Sequence, residues 1–262
     1  MMHIFNRMSA LPMALLFLGG FALFASIAVL VVQKWLPWLH LDHAFTEYGQ
    51  IFGGAIGTMF ALVYALVTIA VWQNYDRVNA GVAEEAKSLH NIYSYLEAYP
   101  LAVRDPVRRQ LRAYLQEVIQ VEWPSLAEGR QDPVAGRLIG AIEWRLATYK
   151  PASLGELALH QEVLAQLSLC RGQRYDRIQA GSAYLDLSMW VSLWIGSVIL
   201  LVFCSAWRMP SRRQHLFLTG ALGGSLGIIF FLMLAYNHPF VGPGAIGPGP
   251  LQHLMENHWR ME

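Results

Sequence analysis

Four uninterrupted apolar runs stand out along the chain: Leu11 to Val32, Ile51 to Trp72, Leu187 to Trp207 and Leu216 to Tyr236. A helix rises 1.5 Å per residue, so roughly 20 apolar residues cross a hydrocarbon core about 30 Å thick. Each run is that long and predicts one membrane span. The first is longer than the 7–15 apolar residues usual in a secretory signal and is preceded only by Arg7, so a retained helix is expected. Trp35, Trp38, Trp72, Tyr75, Tyr184, Trp190, Trp207 and Tyr236 flank the runs, as rings seated at headgroup level would.

Between the second and third runs the pattern changes. Residues 76–186 collect most of the charge and show apolar residues at helical spacing. Val107, Leu111, Leu115 and Val118 form one series; Val134, Leu138, Ile142 and Leu146 a second; Leu157, Leu164 and Leu167 a third. Pro100 predicts a stop, and Asp105-Pro106, Asp132-Pro133 and Pro151-Ala152-Ser153 predict helix starts, with Asp as N-cap and Pro at the first helical position. Strand alternation is missing. The expected fold is all-α: an integral membrane protein with four transmembrane helices and a helical soluble block between the second and third, continuous with both flanking spans. The expected division is 1–75 for the first two spans, 76–186 for the block, 187–236 for the last two spans and 237–262 for a Gly/Pro-rich segment and tail.

Composition agrees with a membrane protein. Of 262 residues 55% are hydrophobic and only 14% charged, against roughly 25% charged in a soluble domain. A formal net charge of +1 gives no basic field for nucleic acid. None of the four span cores carries Asp, Glu, Lys, Arg or His. That excludes an intramembrane proton relay, a bis-histidine haem site and an intramembrane metalloprotease, all of which need ionisable groups at depth. None of the nine histidines forms an HxxH or HExxH pair at ligand spacing on a predicted helix, and there is no Walker A or strand-borne GxGxxG. Cys170 and Cys204 are far apart and read as buried, unreactive thiols. No enzyme, metal or cofactor is indicated.

Three features carry candidate chemistry. On the second span, Gly53, Gly57, Ala61 and Ala65 recur every four residues, the small-xxx-small pattern by which helices approach closely in lipid. Phe52, Ile56 and Phe60 form a bulky stripe about 100° around, suited to packing, to lipid, or to a hydrophobic constriction that gates a pore by dewetting. Arg104, Arg108 and Arg112 share a helix face that could attract anions, or pair with Glu117, Glu122 or Glu128. Glu84 and Glu85 point about 100° apart on a helix and cannot serve one substrate. The charge rule for orientation is divided: Arg208, Arg212 and Arg213 fill one short loop, while Arg7, Arg77, Lys87, Arg171, Arg174 and Arg177 stand on the other side.

The order of landmarks resembles a known family. Two spans lead into EEAKSL; YLQEVIQVEWPSL and RGQRYDRI follow; then come a tryptophan-rich span, a last span and HPFVGPGAIGPGPL. From about residue 45 to 255 this is similar to the bestrophin-like family of bacterial membrane proteins, distantly similar to the bestrophin anion channels. The resemblance implies a homo-oligomeric ring, pentameric in bestrophins, in the bacterial inner membrane. It would conduct inorganic ions, anions first, with the soluble block and both termini cytoplasmic. It implies a pore lined by the second span, with Phe52, Ile56 and Phe60 as the bulky neck. Bestrophins follow their last span with a Pro-Phe-Gly motif and an acidic calcium clasp. Here Pro239 and Phe240 match, Gly242 falls one place late, and no Asp or Glu lies between Pro239 and Met255. Calcium gating is therefore not implied. The segment is expected to dock just outside the membrane through Phe240, Val241, Ile246 and Leu251. The alternative reading is a membrane-anchored helical scaffold or sensor without a pore.

Overall fold

The computed structural model describes residues 9–35, 43–130, 132–181, 184–207, 209 and 211–259. Among these there are helices and no strands. In chain order the helices are α1 (Ala10–Trp35), α2 (His43–Tyr95), α3 (Leu101–Glu117), α4 (Trp123–Ala127), α5 (Pro133–Ala147), α6 (Leu154–Gln179), α7 (Leu187–Ser205), α8 (Arg212–Asn237) and α9 (Gly249–Trp259). A 3₁₀ turn, Leu96–Ala98, follows α2, and a π-helical turn, Val118–Glu122, joins α3 to α4. Among the described residues four helices are long and apolar enough to cross a membrane: α1, α2, α7 and α8.

Two compact units are built from these helices. The first holds α1, α2 up to Asn74, α7 and α8. Its core is aromatic. Phe230 of α8 meets Phe21, Trp194, Trp190 and Tyr64 with ring centroids 5.0, 4.9, 6.0 and 6.1 Å away. The α1–α8 contact is closer still, because α8 presents Gly220, Gly223, Gly224 and Gly227 along one side. A methyl group on Gly223 would come within 2.6 Å of the Phe21 carbonyl oxygen, and one on Gly227 would overlap the Phe17 carbonyl. Backbone is in contact with backbone there, as small residues permit in lipid. At one end of these helices His215 is fully buried; Gln33 of α1 contacts its Nδ1 at 3.1 Å and its Nε2 lies 3.0 Å from the Cys204 carbonyl. That carbonyl lies in the last turn of α7, where helix acceptors lack intrahelical partners.

The second unit begins at Tyr75 and runs through α6, with Pro239–Val241 and the chain from Ala245 onward added to it. Its core comes from one stripe of each helix: Val82, Leu89 and Ile92 of α2; Val107, Leu111 and Leu115 of α3; Ile139, Ile142 and Leu146 of α5; Val163, Leu167 and Cys170 of α6. The Asp132 start is as the sequence implies, its carboxylate accepting from the amides of Val134 at 3.0 Å and Ala135 at 3.3 Å. Ser153 caps α6: its Oγ accepts from the Glu156 amide at 3.2 Å, and the Glu156 carboxylate accepts from the amide of Ala152, one residue before the cap, at 2.7 Å.

Two expected boundaries differ. Helix α3 starts at Leu101, not at Pro106, which lies inside it. The Pro100 carbonyl accepts from Val103 and Arg104 and nucleates the helix one turn early. The block is continuous with the second span through α2, 53 residues long, but not with the third. Helix α6 ends at Gln179, where Ala180 caps onto Asp176 and Ile178, and α7 begins anew at Leu187.

Candidate functional site

Helix α2 meets α7 along a line set by Gly53, Gly57, Phe60 and Tyr64. A methyl group on Gly53 would overlap the Phe203 ring and lie 2.8 Å from Trp207, so only glycine lets those rings lie against the helix. One turn further, Gly57 faces Leu200 at 4.0 Å. Then the pattern inverts. Phe60 lies over Gly196 of α7, 2.5 Å from where a β-carbon would stand. Tyr64 donates to the Leu193 carbonyl at 2.8 Å and its hydroxyl is 2.7 Å from Ser197 Oγ. Small faces large, then large faces small, and two hydrogen bonds fix the rotation of α2.

This rotation divides both stripes. A step of four residues turns a helix through about 400°, a drift of about 40° each time. From Gly53 to Ala65 the drift reaches about 120°. Gly53 and Gly57 therefore pack on α7, whereas Ala61 and Ala65 are exposed. Gly54, Thr58, Ala61 and Ala65 are exposed and make a different line along α2. The bulky stripe drifts likewise: Phe52 is 66% exposed, Ile56 is half-buried, and Phe60 is engaged with Gly196 inside the protomer. A cavity of about 370 Å³ opens beside this contact, lined by Phe60, Val63, Tyr64 and Val67 of α2 and Ser188 and Ser192 of α7.

The arginine face meets a carboxylate other than the expected Glu117, Glu122 or Glu128. Glu97, in the 3₁₀ turn, accepts from Arg104 Nη1 at 3.0 Å and from Arg108 Nη2 at 2.5 Å. Arg108 also lies 4.1 Å over the Tyr93 ring and donates to the Tyr93 carbonyl at 3.3 Å. The bond from Arg108 holds the Glu97 carboxyl below its usual value. Arg112 is half-buried on the same helix. Neither Glu117, Glu122 nor Glu128 partners Arg104 or Arg108 in these contacts.

Within the second unit lies a charge cluster that sequence reasoning missed. Glu84 faces water beside Lys87, but Glu85 is fully buried. Arg177, only 2% exposed, grips it through Nε at 2.8 Å and Nη2 at 3.1 Å, and the same Nη2 reaches Glu122 at 2.8 Å. Glu122, also fully buried, accepts from Arg174 on its other oxygen. Tyr114 donates to Glu85 at 2.9 Å, and Trp123 lies under the Arg177 guanidinium, 4.8 Å from ring centre to Cζ. Burial works against charge on Arg177, yet Glu85, Tyr114 and Glu122 hold it above the usual arginine value. Burial, then the Glu85 charge, pushes the Tyr114 phenol and the Cys170 thiol well up. Both stay neutral, and Cys170 is no nucleophile.

Glu122 sits in the π-helical turn. Pro124 has no amide to give the Gln120 carbonyl and its ring would clash with that group in a regular helix; the wider turn relieves the conflict and directs Glu122 and Trp123 inward. The signals were present in the sequence, in EEAK, VEWP and RGQRYDRI. What spacing could not show was that these three segments converge.

Pro239 and Phe240 follow α8 directly. Phe240 is buried, its ring edge-on to Trp123 at 5.6 Å, and Trp123 Nε1 donates to the Ile246 carbonyl at 3.1 Å. Gly242 adopts φ +94°, a left-handed conformation that favours glycine. Ile246, Leu251 and Leu254 are buried, while Val241 is half-buried. Among the described residues no group of His, Cys, Asp and Glu could hold a metal ion.

These features define a class: an all-α membrane protein whose four apolar helices accompany a bundle organised around buried ion pairs. A family model for the bestrophin-like domain matches residues 19–251. The chain belongs to the bestrophin-like family. No curated protein matches it, and no solved structure does.

Proposed function

We propose that the chain is the subunit of an ion channel, anion-conducting, that assembles as a homo-oligomeric ring in the bacterial inner membrane with its charged bundle cytoplasmic. One observation carries this reading: in a bestrophin-like chain, α2 is the span least covered by its own protomer. Of its apolar window 11% is buried, against 44% for α8. A helix left so bare has surface for neighbouring copies and for a pore. Phe52 and Ile56 are the members of the bulky stripe free to narrow that pore; Phe60 supports them from the α7 contact. Arg104, Arg108 and Arg112 would bias the approach toward anions only where Glu97 leaves charge uncompensated.

Halide flux into liposomes carrying the purified protein tests the proposal. Wild-type flux, raised by Phe52→Ala or Ile56→Ala, is the expected result. A monomer by native mass spectrometry, with no flux from folded wild type or either variant, refutes it. The second reading, a membrane-anchored helical scaffold or sensor, draws on a specific observation: Phe60 and the Arg104–Arg108 pair both have packing or pairing roles inside one protomer.

A further inference from the structure

The segment after α8 and the buried ion cluster share one residue, Trp123. One edge of its indole donates to the Ile246 carbonyl; Phe240 stands against the ring edge-on; the face carries Arg177. The preceding residue, Glu122, is itself a member of the cluster and is held by the same π-helical turn. The segment closes on itself through the Ile246 amide and the Pro239 carbonyl, 2.8 Å apart. Arg177 Nη1 has no hydrogen-bond partner among the described residues, so the Trp123 face is part of what compensates a buried cation. Moving Trp123 therefore disturbs both neighbours together.

We propose that Pro239–Leu254 is a latch whose docked state and the closed state of the Glu85–Arg177–Glu122–Arg174 cluster are a single two-state element, with Trp123 as the coupling residue. Opening the latch withdraws Phe240 and the Ile246 carbonyl from Trp123, and the indole no longer holds its place under Arg177. Conversely, unpairing Arg177 lets the guanidinium and the π-turn shift, and the platform on which the latch sits is lost. The coupling is reciprocal by thermodynamic necessity. It gives this chain a way to link a surface segment with no acidic cluster to a charge network in its interior. The roles assigned to Glu85, Glu122 and Arg177 are positioning roles.

Hydrogen exchange by mass spectrometry on the full-length protein in lipid nanodiscs tests this, with the Ile246 amide as reporter. Trp123→Phe keeps a ring and removes the N–H; exchange across 240–252 should rise about tenfold, the worth of one net hydrogen bond. Among the described residues Glu122 bonds to Arg174 and Arg177 and not to the latch, yet in Glu122→Gln latch exchange should rise by a similar factor. Phe240→Ala, acting in the other direction, should raise exchange in 82–92 and 174–180. Leu146→Ala weakens the same core from the last turn of α5 and should leave the latch within about twofold. Unchanged latch exchange in Glu122→Gln overturns the proposal, as does equal release by Leu146→Ala. Should Glu122→Gln fail to fold, the Phe240→Ala arm decides: no change in 82–92 and 174–180 refutes the coupling.

Discussion

Replacing Arg177 with methionine probes the physics of the second unit most directly. Methionine approximates the length of the side chain and removes its charge. Three hydrogen bonds to ionised partners vanish, at 2.8, 3.1 and 2.8 Å. Each such bond contributes about 1.5–3 kcal/mol net, but the sum overstates the loss, because the guanidinium's own desolvation cost disappears with it. Glu122 retains Arg174. Among the described residues Glu85 then retains only the Tyr114 hydroxyl, a fully buried carboxylate with no cation against it. Breaking a buried pair from one side costs about 3–5 kcal/mol. A domain holds only about 5–15 kcal/mol in total, so the variant should fold marginally, with its transition lowered by roughly 10–20 °C. Glu85→Gln added to Arg177→Met removes the stranded charge and should restore more than half of the loss. Helical ellipticity against temperature, in one detergent at one pH, measures all three proteins. A loss below about 1 kcal/mol for Arg177→Met would mean the cluster behaves like a surface pair. A double variant no more stable than the single one would show that the unpaired carboxylate is not the cause.

Two further outcomes are expected. Gly227→Ala places a methyl group against the Phe17 carbonyl; α1 and α8 must separate, at about 1–3 kcal/mol, whereas Gly54→Ala, with nothing within 4 Å, should leave the protomer unchanged in a detergent-unfolding titration. His160 is buried, with Nδ1 2.7 Å from the Tyr99 hydroxyl, and burial holds its pKa below the usual 6.5. The unfolded chain therefore binds the proton more readily, so stability contributed by neutral His160 is present above pH 6.5 and is lost as pH falls below it. His160→Phe should flatten that slope in melting curves between pH 7.5 and roughly 5; an unaltered slope refutes the assignment. Burial also pushes Tyr99 up to about 12, so its phenol stays neutral across that range.

The sequence by itself determined which helices are apolar enough to span and most of the helices between them, but not α9, Gly249–Trp259, which lies where only a Gly/Pro-rich segment and tail were expected. Length and hydropathy are local quantities: a charge-free run of about 20 residues has few other stable outcomes in lipid. Local signals also located the Asp132 and Ser153 caps, since a cap acts on amides two or three residues away. Glu84 and Glu85 were separable for the same reason, though not which of them turns inward. The rotation of each helix was left to the tertiary structure. Gly53, Gly57, Ala61 and Ala65 look like one stripe when counted by fours, yet a helix of 3.6 residues per turn carries the last two away from the first. The contacts with α7, among them Tyr64–Ser197 and Phe60–Gly196, establish where α2 stops turning. The ion cluster lay further from view. Glu85, Glu122 and Arg177 are separated by 37 and 55 residues, and nothing within a few residues of any of them encodes the others. Packing three helices and a proline-induced turn around one guanidinium decides which charges leave water, and that decision exists only in the folded chain.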